Sequence, residues 1–225
     1  MEALLQFVAA EKTEVLQIVG LSVFVSGSAT ILGTLVGIPL GAWLGMTRLP
    51  VKRFLLQLTY TLMALPPVLA GLFIYLILSR SGPLGILELL FTPAAMIVAQ
   101  FVLVTPIITG LSAAAVAAKE KTIYDQARGL GASNWQAVRT VVSESRTGIV
   151  AAIMTGFGRA FAEVGAVMMV GGNIKGYTRV LTTTIMMETR QGNFDLAISL
   201  GIILLVISFI ISRIVLRSNQ ELFNA

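Results

Sequence analysis

Two ionisable residues stand in the middle of an apolar run, in Gly158-Arg159-Ala160-Phe161-Ala162-Glu163-Val164-Gly165. Four residues apart, Arg159 and Glu163 share one face of a helix and can pair, which lowers the cost of holding either away from water. They read as a structural ion pair fixing this helix against a second copy, or as charges placed along a pathway. A second polar group, Asp125-Gln126-Ala127-Arg128-Gly129-Leu130-Gly131-Ala132-Ser133, has the spacing of a short helix followed by a glycine break. Ile123, Ala127 and Leu130 fall on one side of that helix, and the small Ala127, Gly131 and Ala132 leave a surface on which a partner's groove could close. The alternative is an amphipathic helix lying at the lipid headgroups. Asn173, Lys175 and Arg179 stand in a third polar stretch, 172–195, which reads as an outside-facing loop.

Covalent and metal chemistry is nearly excluded. Cysteine and histidine are both absent, which removes thiolate nucleophiles, disulfides and His-based metal sites. No Gly-x-x-x-x-Gly-Lys-Ser/Thr run is present to cradle nucleotide phosphates. The basic residues behind the net charge of +5 are scattered between apolar runs, not gathered into a stripe, so they do not read as a nucleic-acid surface.

What must position these groups is set by composition. Of 225 residues, 56% are hydrophobic and 12% charged, about half the charged share of an ordinary soluble domain. Five continuously apolar stretches, 15–46, 54–78, 93–118, 148–170 and 196–216, each suffice to cross a hydrocarbon core of about 30 Å as a helix. None alternates as a barrel strand would. The expected fold is therefore an all-α integral membrane protein of about five transmembrane helices. Sorting Lys and Arg by side puts Arg48, Lys52, Arg53, Lys119, Lys121, Arg128, Arg139, Arg146, Arg213 and Arg217 on one face. Lys12, Arg80, Lys175, Arg179 and Arg190 fall on the other. The positive-inside rule then predicts the N-terminus outside, the C-terminus in the cytoplasm and the 125–133 segment cytoplasmic. The division is a 1–14 extracytoplasmic segment without the marks of a removable signal peptide, a 15–217 membrane domain with a polar region at 119–146, and a 218–225 cytoplasmic tail.

Within the first stretch, Ala29, Gly33, Gly37, Gly41 and Gly45 repeat every four residues and form a ridge that another helix can approach closely. Pro39, and Pro66 with Pro67 in the second stretch, are expected to interrupt hydrogen bonding and bend the backbone.

The 125–131 run resembles the "EAA" signature of ABC-importer permeases, with Asp125, Ala127 and Gly131 matching in kind or identity and Gln126 departing from it. The Leu-Pro expected further on is missing, since Val141 is followed by Ser143-Glu144. Two further stretches are similar to the molybdate, tungstate and sulfate group of that family. One is Leu65-Pro66-Pro67-Val68-Leu69-Ala70-Gly71 with Gly82-Pro83-Leu84-Gly85. The other is Gly158-Arg159-Ala160-Phe161-Ala162-Glu163-Val164-Gly165-Ala166, followed by Gly172-Asn173-Ile174 and Thr178-Arg179. The 170–174 and 179–183 wording is most similar to the tungstate permeases. This resemblance implies the type I ABC-importer transmembrane fold, in a bacterial or archaeal cytoplasmic membrane.

The resemblance also implies a membrane-spanning, non-catalytic subunit of an ATP-driven importer for a tetrahedral oxyanion, tungstate first, with molybdate or sulfate/thiosulfate as alternatives. Asp125, Ala127, Gly131 and Ala132 would lie on the coupling helix that meets an ATPase, with ATP and Mg held by that partner and no cofactor in this chain. A second copy, an extracytoplasmic binding protein facing Asn173, Lys175 and Arg179, and membrane lipid complete the expected surroundings. By their own chemistry, and not by the resemblance, Arg159 would lend positive potential to an anion pathway and Glu163 would temper it so that a dianion is not trapped, while Pro66 and Pro67 are candidates for lining that pathway or for helix packing. A stand-alone channel or secondary carrier using the same pair is the alternative outside this class. An intramembrane hydrolase lacks the paired carboxylates or nucleophile it would need.

Overall fold

The computed structural model describes residues 12–47 and 49–217. The expected N-terminal segment up to residue 11, Arg48 and the 218–225 tail lie outside the described residues. All regular structure among the described residues is helical: α1 Lys12–Met46, α2 Lys52–Met63, α3 Pro67–Leu78, α4 Pro93–Gly129, α5 Asn134–Glu144, α6 Arg146–Phe161, α7 Gly165–Gly171, α8 Leu181–Arg190 and α9 Phe194–Arg217, with a short 3-10 turn at Gly85–Leu87. Three helices are long and apolar enough to cross a membrane alone, and two bent pairs bring the count to as many as five.

α1 has 35 residues and so extends about 52 Å at the usual helical rise. Pro39 lies inside it without ending it. The expected ridge is the seat of α4. A Cβ on Gly33 would come within 2.8 Å of Val104, on Gly41 within 2.6 Å of the Thr109 carbonyl, and on Gly45 within 2.8 Å of Val116. Close backbone approach of this kind lets helices associate where burial from water offers no drive.

The stretch expected as one helix over 54–78 is two. α2 and α3 meet at 96°, because a residue before proline is pushed out of the helical region and Pro66 is accordingly extended (ψ 127°), with Pro67 opening α3. α2 is amphipathic and buries none of its described side chains, whereas α3 is apolar and buries Ala70, Gly71, Ile74 and Leu78. The fourth stretch is also bent, α6 and α7 meeting at 56° across residues 162–164.

Two expectations about polar segments are corrected. The short helix expected around 122–128 is not separate, since α4 runs unbroken for 37 residues from Pro93 to Gly129 and carries Asp125 and Ala127 on its last turn. The stretch 172–195, expected as an outside-facing loop, contains α8, which buries Leu181, Thr182, Thr183, Thr184 and Glu188. Threonine can enter the bundle because its hydroxyl bonds to nearby carbonyls, Thr184 to Val180 at 2.8 Å and Thr182 to Glu163 at 2.9 Å.

Side-chain packing joins the pieces. Ala70, Ile74, Met96, Ala99, Leu103, Ala166, Val167 and Val170 tie α3, α4 and α7 together. Ile18, Phe157, Phe161, Leu181 and Leu200 tie α1, α6, α8 and α9. Ala42, Val116, Val141 and Ile149 close the α4–α5 end. α9 stays at the margin, with Ile198, Ile202, Leu205 and Phe209 exposed.

Candidate functional site

The two bent spans break at the same place. A Cβ on Gly165 would lie 2.9 Å from Cγ2 of Val68, and one on Gly71 would lie 2.7 Å from Cα of Ala166. The Pro66-Pro67 break and the 162–164 break therefore press against each other. Glu163 fills the second break. Its side chain is 3% exposed, and its carboxylate accepts from Nη1 of Arg159 at 3.1 Å and from the amide of Ala166 at 3.1 Å. Acceptance by a carboxylate at the first turn of a helix satisfies a backbone donor that has no partner within the helix. The expected i, i+4 pair is present, and its partners are unequal, since the Arg159 side chain is 38% exposed.

Further bonds pin this junction. The hydroxyl of Thr182 holds the carbonyl of Glu163 from α8, and the buried Gln100 of α4 donates through Nε2 to the carbonyl of Ala160 at 2.9 Å. The amide of Leu181, opening α8, donates to Oγ of Ser22 on α1 at 2.8 Å. Between Ser22, Ser26, Gln100 and Thr182 lies a cavity of about 10 Å³, and Oε1 of Gln100 has no partner among the described residues. The sequence reading missed Gln100. A lone amide in the continuous apolar stretch 93–118 was the available signal, because such a group enters an apolar interior only against a bonding partner.

The α4–α5 turn is built locally. Gly131 has φ +87°, its amide donates to the carbonyl of Arg128 at 3.0 Å, and that of Ala132 donates to Ala127 at 3.0 Å. These two bonds around a left-handed residue make a Schellman stop, which suits glycine because it has no Cβ. Ser133 then caps α5 in a reciprocal pair with Gln136. Asp125 is exposed, and Ala127 and Ala132 are half-buried. Ile123 and Tyr124 lean on Val141 and Val142, and Nζ of Lys119 bonds the carbonyl of Glu144 at 2.5 Å. Two large apolar side chains near this turn stand out from it, Leu130 at 90% and Trp135 at 74% exposure. Leu130 leaves the Ile123–Ala127 face because the helix stops at Gly129. Large apolar residues beside turn glycines in a polar segment were the signal that could have found both.

At the opposite end of the bundle, Lys175 and Arg179 do not stand as open loop cations. Nζ of Lys175 lies 2.8 Å from Oε2 of Glu14, and Nη1 of Arg179 lies 3.4 Å from Oε1 of the same residue. The Arg179 side chain is 15% exposed. Asn173 sits in the left-handed region at φ 51° with Nδ2 directed at the sulfur of Met187, 3.7 Å away. The arrangement ties the 172–180 turn to the start of α1 beside a pocket of about 260 Å³ lined by Glu14, Gln17, Tyr177 and Arg179.

Three long apolar helices and two bent apolar spans that meet at the Glu163 break define a multi-pass membrane protein. Residues 37–223 match the family described as "Binding-protein-dependent transport system inner membrane component", and the chain belongs to that family. It is 41% identical to the tungstate uptake system permease protein TupB of Peptoclostridium acidaminophilum, over 97% of this chain and 96% of that protein. It is 40% identical to a probable anion ABC transporter permease protein of Haloferax volcanii, over 87% of this chain and 86% of that protein. Identity to the molybdenum transport system permease protein ModB of Azotobacter vinelandii is 30%, over 69% of this chain and 73% of that protein. Family membership makes the chain a multi-pass ABC permease subunit of a prokaryotic inner membrane, with a binding protein and an ATPase as its implied partners.

Proposed function

We propose that this chain is the membrane-spanning subunit of an ATP-driven importer for a tetrahedral oxyanion, and that the anion is tungstate. The observation that carries the substrate is the 41% identity, spread over 97% of the chain, to a permease named for tungstate uptake. Identity to the molybdenum permease quoted above is lower, at 30%.

Two copies are needed, because one chain of five spans is too small to enclose a path, and two identical chains associate about a two-fold axis. The exposed apolar face of α9 is available to lipid or to the second copy. Each copy presents its α4–α5 turn to one ATPase, with Asp125, Ala127, Gly131 and Ala132 in the contact and Leu130 and Trp135 as apolar anchors. Mg and ATP are held, and ATP is hydrolysed, in that partner. The excess of Lys and Arg on this side supports a cytoplasmic location for the turn and an outside N-terminus. The binding protein delivers the anion at the opposite end, over the turn that carries Asn173, Lys175 and Arg179. Alternating access is then a choice between two arrangements of the bundle, biased by closure of the ATPase pair.

The test of the substrate is uptake by the complete complex in proteoliposomes, with tungstate, molybdate and sulfate in competition. Tungstate is expected to be accumulated and to be displaced least by the other two. Preferential accumulation of molybdate or sulfate would reassign the anion.

A further inference from the structure

The junction of the two breaks holds a positive charge in an unusual setting. Arg159 lies near the middle of the bent span that runs from Arg146 to Gly171. A cation at such depth is costly in lipid and is found against water, a partner charge or a pathway. Its partner, Glu163, is enclosed: one carboxylate oxygen takes Nη1 of Arg159 and the other takes the amide of Ala166. With Glu163 at 3% exposure and Arg159 at 38%, the surface at this level presents the guanidinium and withholds the carboxylate. Beside it, Thr155 and Gly158 of α6 and Ala162 at the break are exposed, as is Ala151 two turns earlier on α6. All four of these residues are small.

The backbone around the charge is suited to a path as well. Interrupted helices at membrane depth are tolerated where they are covered by protein or line a water-filled cavity. Here both interruptions meet, at Pro66-Pro67 and at residues 162–164, within van der Waals reach through Val68 and Gly165. α6 also follows α5 across the single residue Ser145, so the turn that would meet an ATPase is one helix away from this charge.

We propose that Arg159 is the contact point of the translocated oxyanion at the middle of the membrane, with Glu163 as its positioning residue. This rests on the reading of the chain as an oxyanion permease subunit and adds where the anion is touched. The free guanidinium donors match the oxygens of a tetrahedral dianion, and charge-assisted bonds of this kind are strong and geometrically specific. Glu163 performs two tasks. It fixes the guanidinium against the first turn of α7, and it offsets part of the positive charge so that contact does not become retention. One Arg159 from each of two copies would face the same path.

The experiment uses the complete complex in proteoliposomes, with tungstate as the probe and import normalised to assembled permease. Arg159→Gln is expected to lower the maximal import rate about tenfold or more, the loss of a charge-assisted contact, while ATP hydrolysis stimulated by the loaded binding protein persists. Arg159→Lys keeps the charge and should recover part of the rate. Glu163→Gln keeps an acceptor for the Ala166 amide and is expected to slow release of the anion. Import per assembled Arg159→Gln complex at the unsubstituted rate would overturn the proposal.

A second measurement stands even where Arg159 variants do not assemble. The chain has no cysteine, so Thr155→Cys supplies a single thiol on the same face. It should react with a membrane-impermeant anionic thiol reagent faster than with a cationic one, and reaction should block import. No reaction in any nucleotide state would place this face against lipid or protein and overturn the proposal. Failure of the underlying reading is separable, because it would appear as absent tungstate uptake by the unsubstituted complex.

Discussion

Gly131 is a residue whose type is fixed by backbone geometry. At φ +87°, any L side chain is strained by about 1–2 kcal/mol, and a Cβ there would otherwise meet nothing within 4 Å. Strain and not crowding is therefore what a substitution tests. Gly131→Val is expected to distort the α4–α5 turn and abolish import while the helices remain inserted, and Gly131→Asn, which tolerates the left-handed region, should be milder; uptake together with protease protection of the membrane-embedded chain checks both. Leu130 and Trp135 test the surface of the same turn. Trp135→Ala should weaken association with the ATPase by about 2 kcal/mol, as buried interface anchors do, or roughly thirtyfold in Kd, measured by titration of detergent-solubilised permease. The need for glycine at 131 was visible in the Gly129–Gly131 spacing, and the i, i+4 geometry anticipated the Arg159–Glu163 bond. Gln100, Ser22 and Glu14 were not anticipated, because their partners lie between 60 and 165 residues away in sequence and no local pattern encodes such a pairing.

At the scale of elements, apolar length marked three unbroken spans and the two bent pairs, and said nothing of the bends. The two prolines at 66 and 67 do mark a break, but a 96° turn also needs the surface of α7 to receive it, and that is a tertiary fact. The break between α6 and α7 has no proline at all. It rests on Glu163 turning back to the Ala166 amide, with α8 and α4 bonding the neighbouring carbonyls. α8 was read as loop because its threonines are polar in composition, although their hydroxyls are satisfied within the bundle. Ser22→Ala leaves the Leu181 amide without its acceptor, which costs about 1–3 kcal/mol for a buried donor. A lowered thermal unfolding temperature of the purified permease is the expected result. Gly41→Leu attacks a different contact. A side chain there would start 2.6 Å from the Thr109 carbonyl and part α1 from α4, an overpacking that costs about 1–3 kcal/mol or more, again seen as a drop in that temperature.

For the whole molecule, the described chain is a bundle with a long α4 at its centre, the α4–α5 turn at one end and an ion-paired turn at the other. Membrane character was legible from composition, and the transport class from the resemblance carried by the polar stretches. The packing partner of the glycine ridge and the meeting of the two breaks were not, because both depend on which helices lie side by side. The account requires two copies of a 24.0 kDa chain, so light scattering of the detergent-corrected permease should return twice the mass of one chain. The most direct test of the central claim is tungstate accumulation by proteoliposomes holding the permease, its ATPase and the binding protein, compared with the same assembly carrying an ATPase that binds but does not hydrolyse ATP. Accumulation against a gradient with the active ATPase and none with the inactive one is the predicted result. Equal uptake in both would show a channel or secondary carrier and contradict the account.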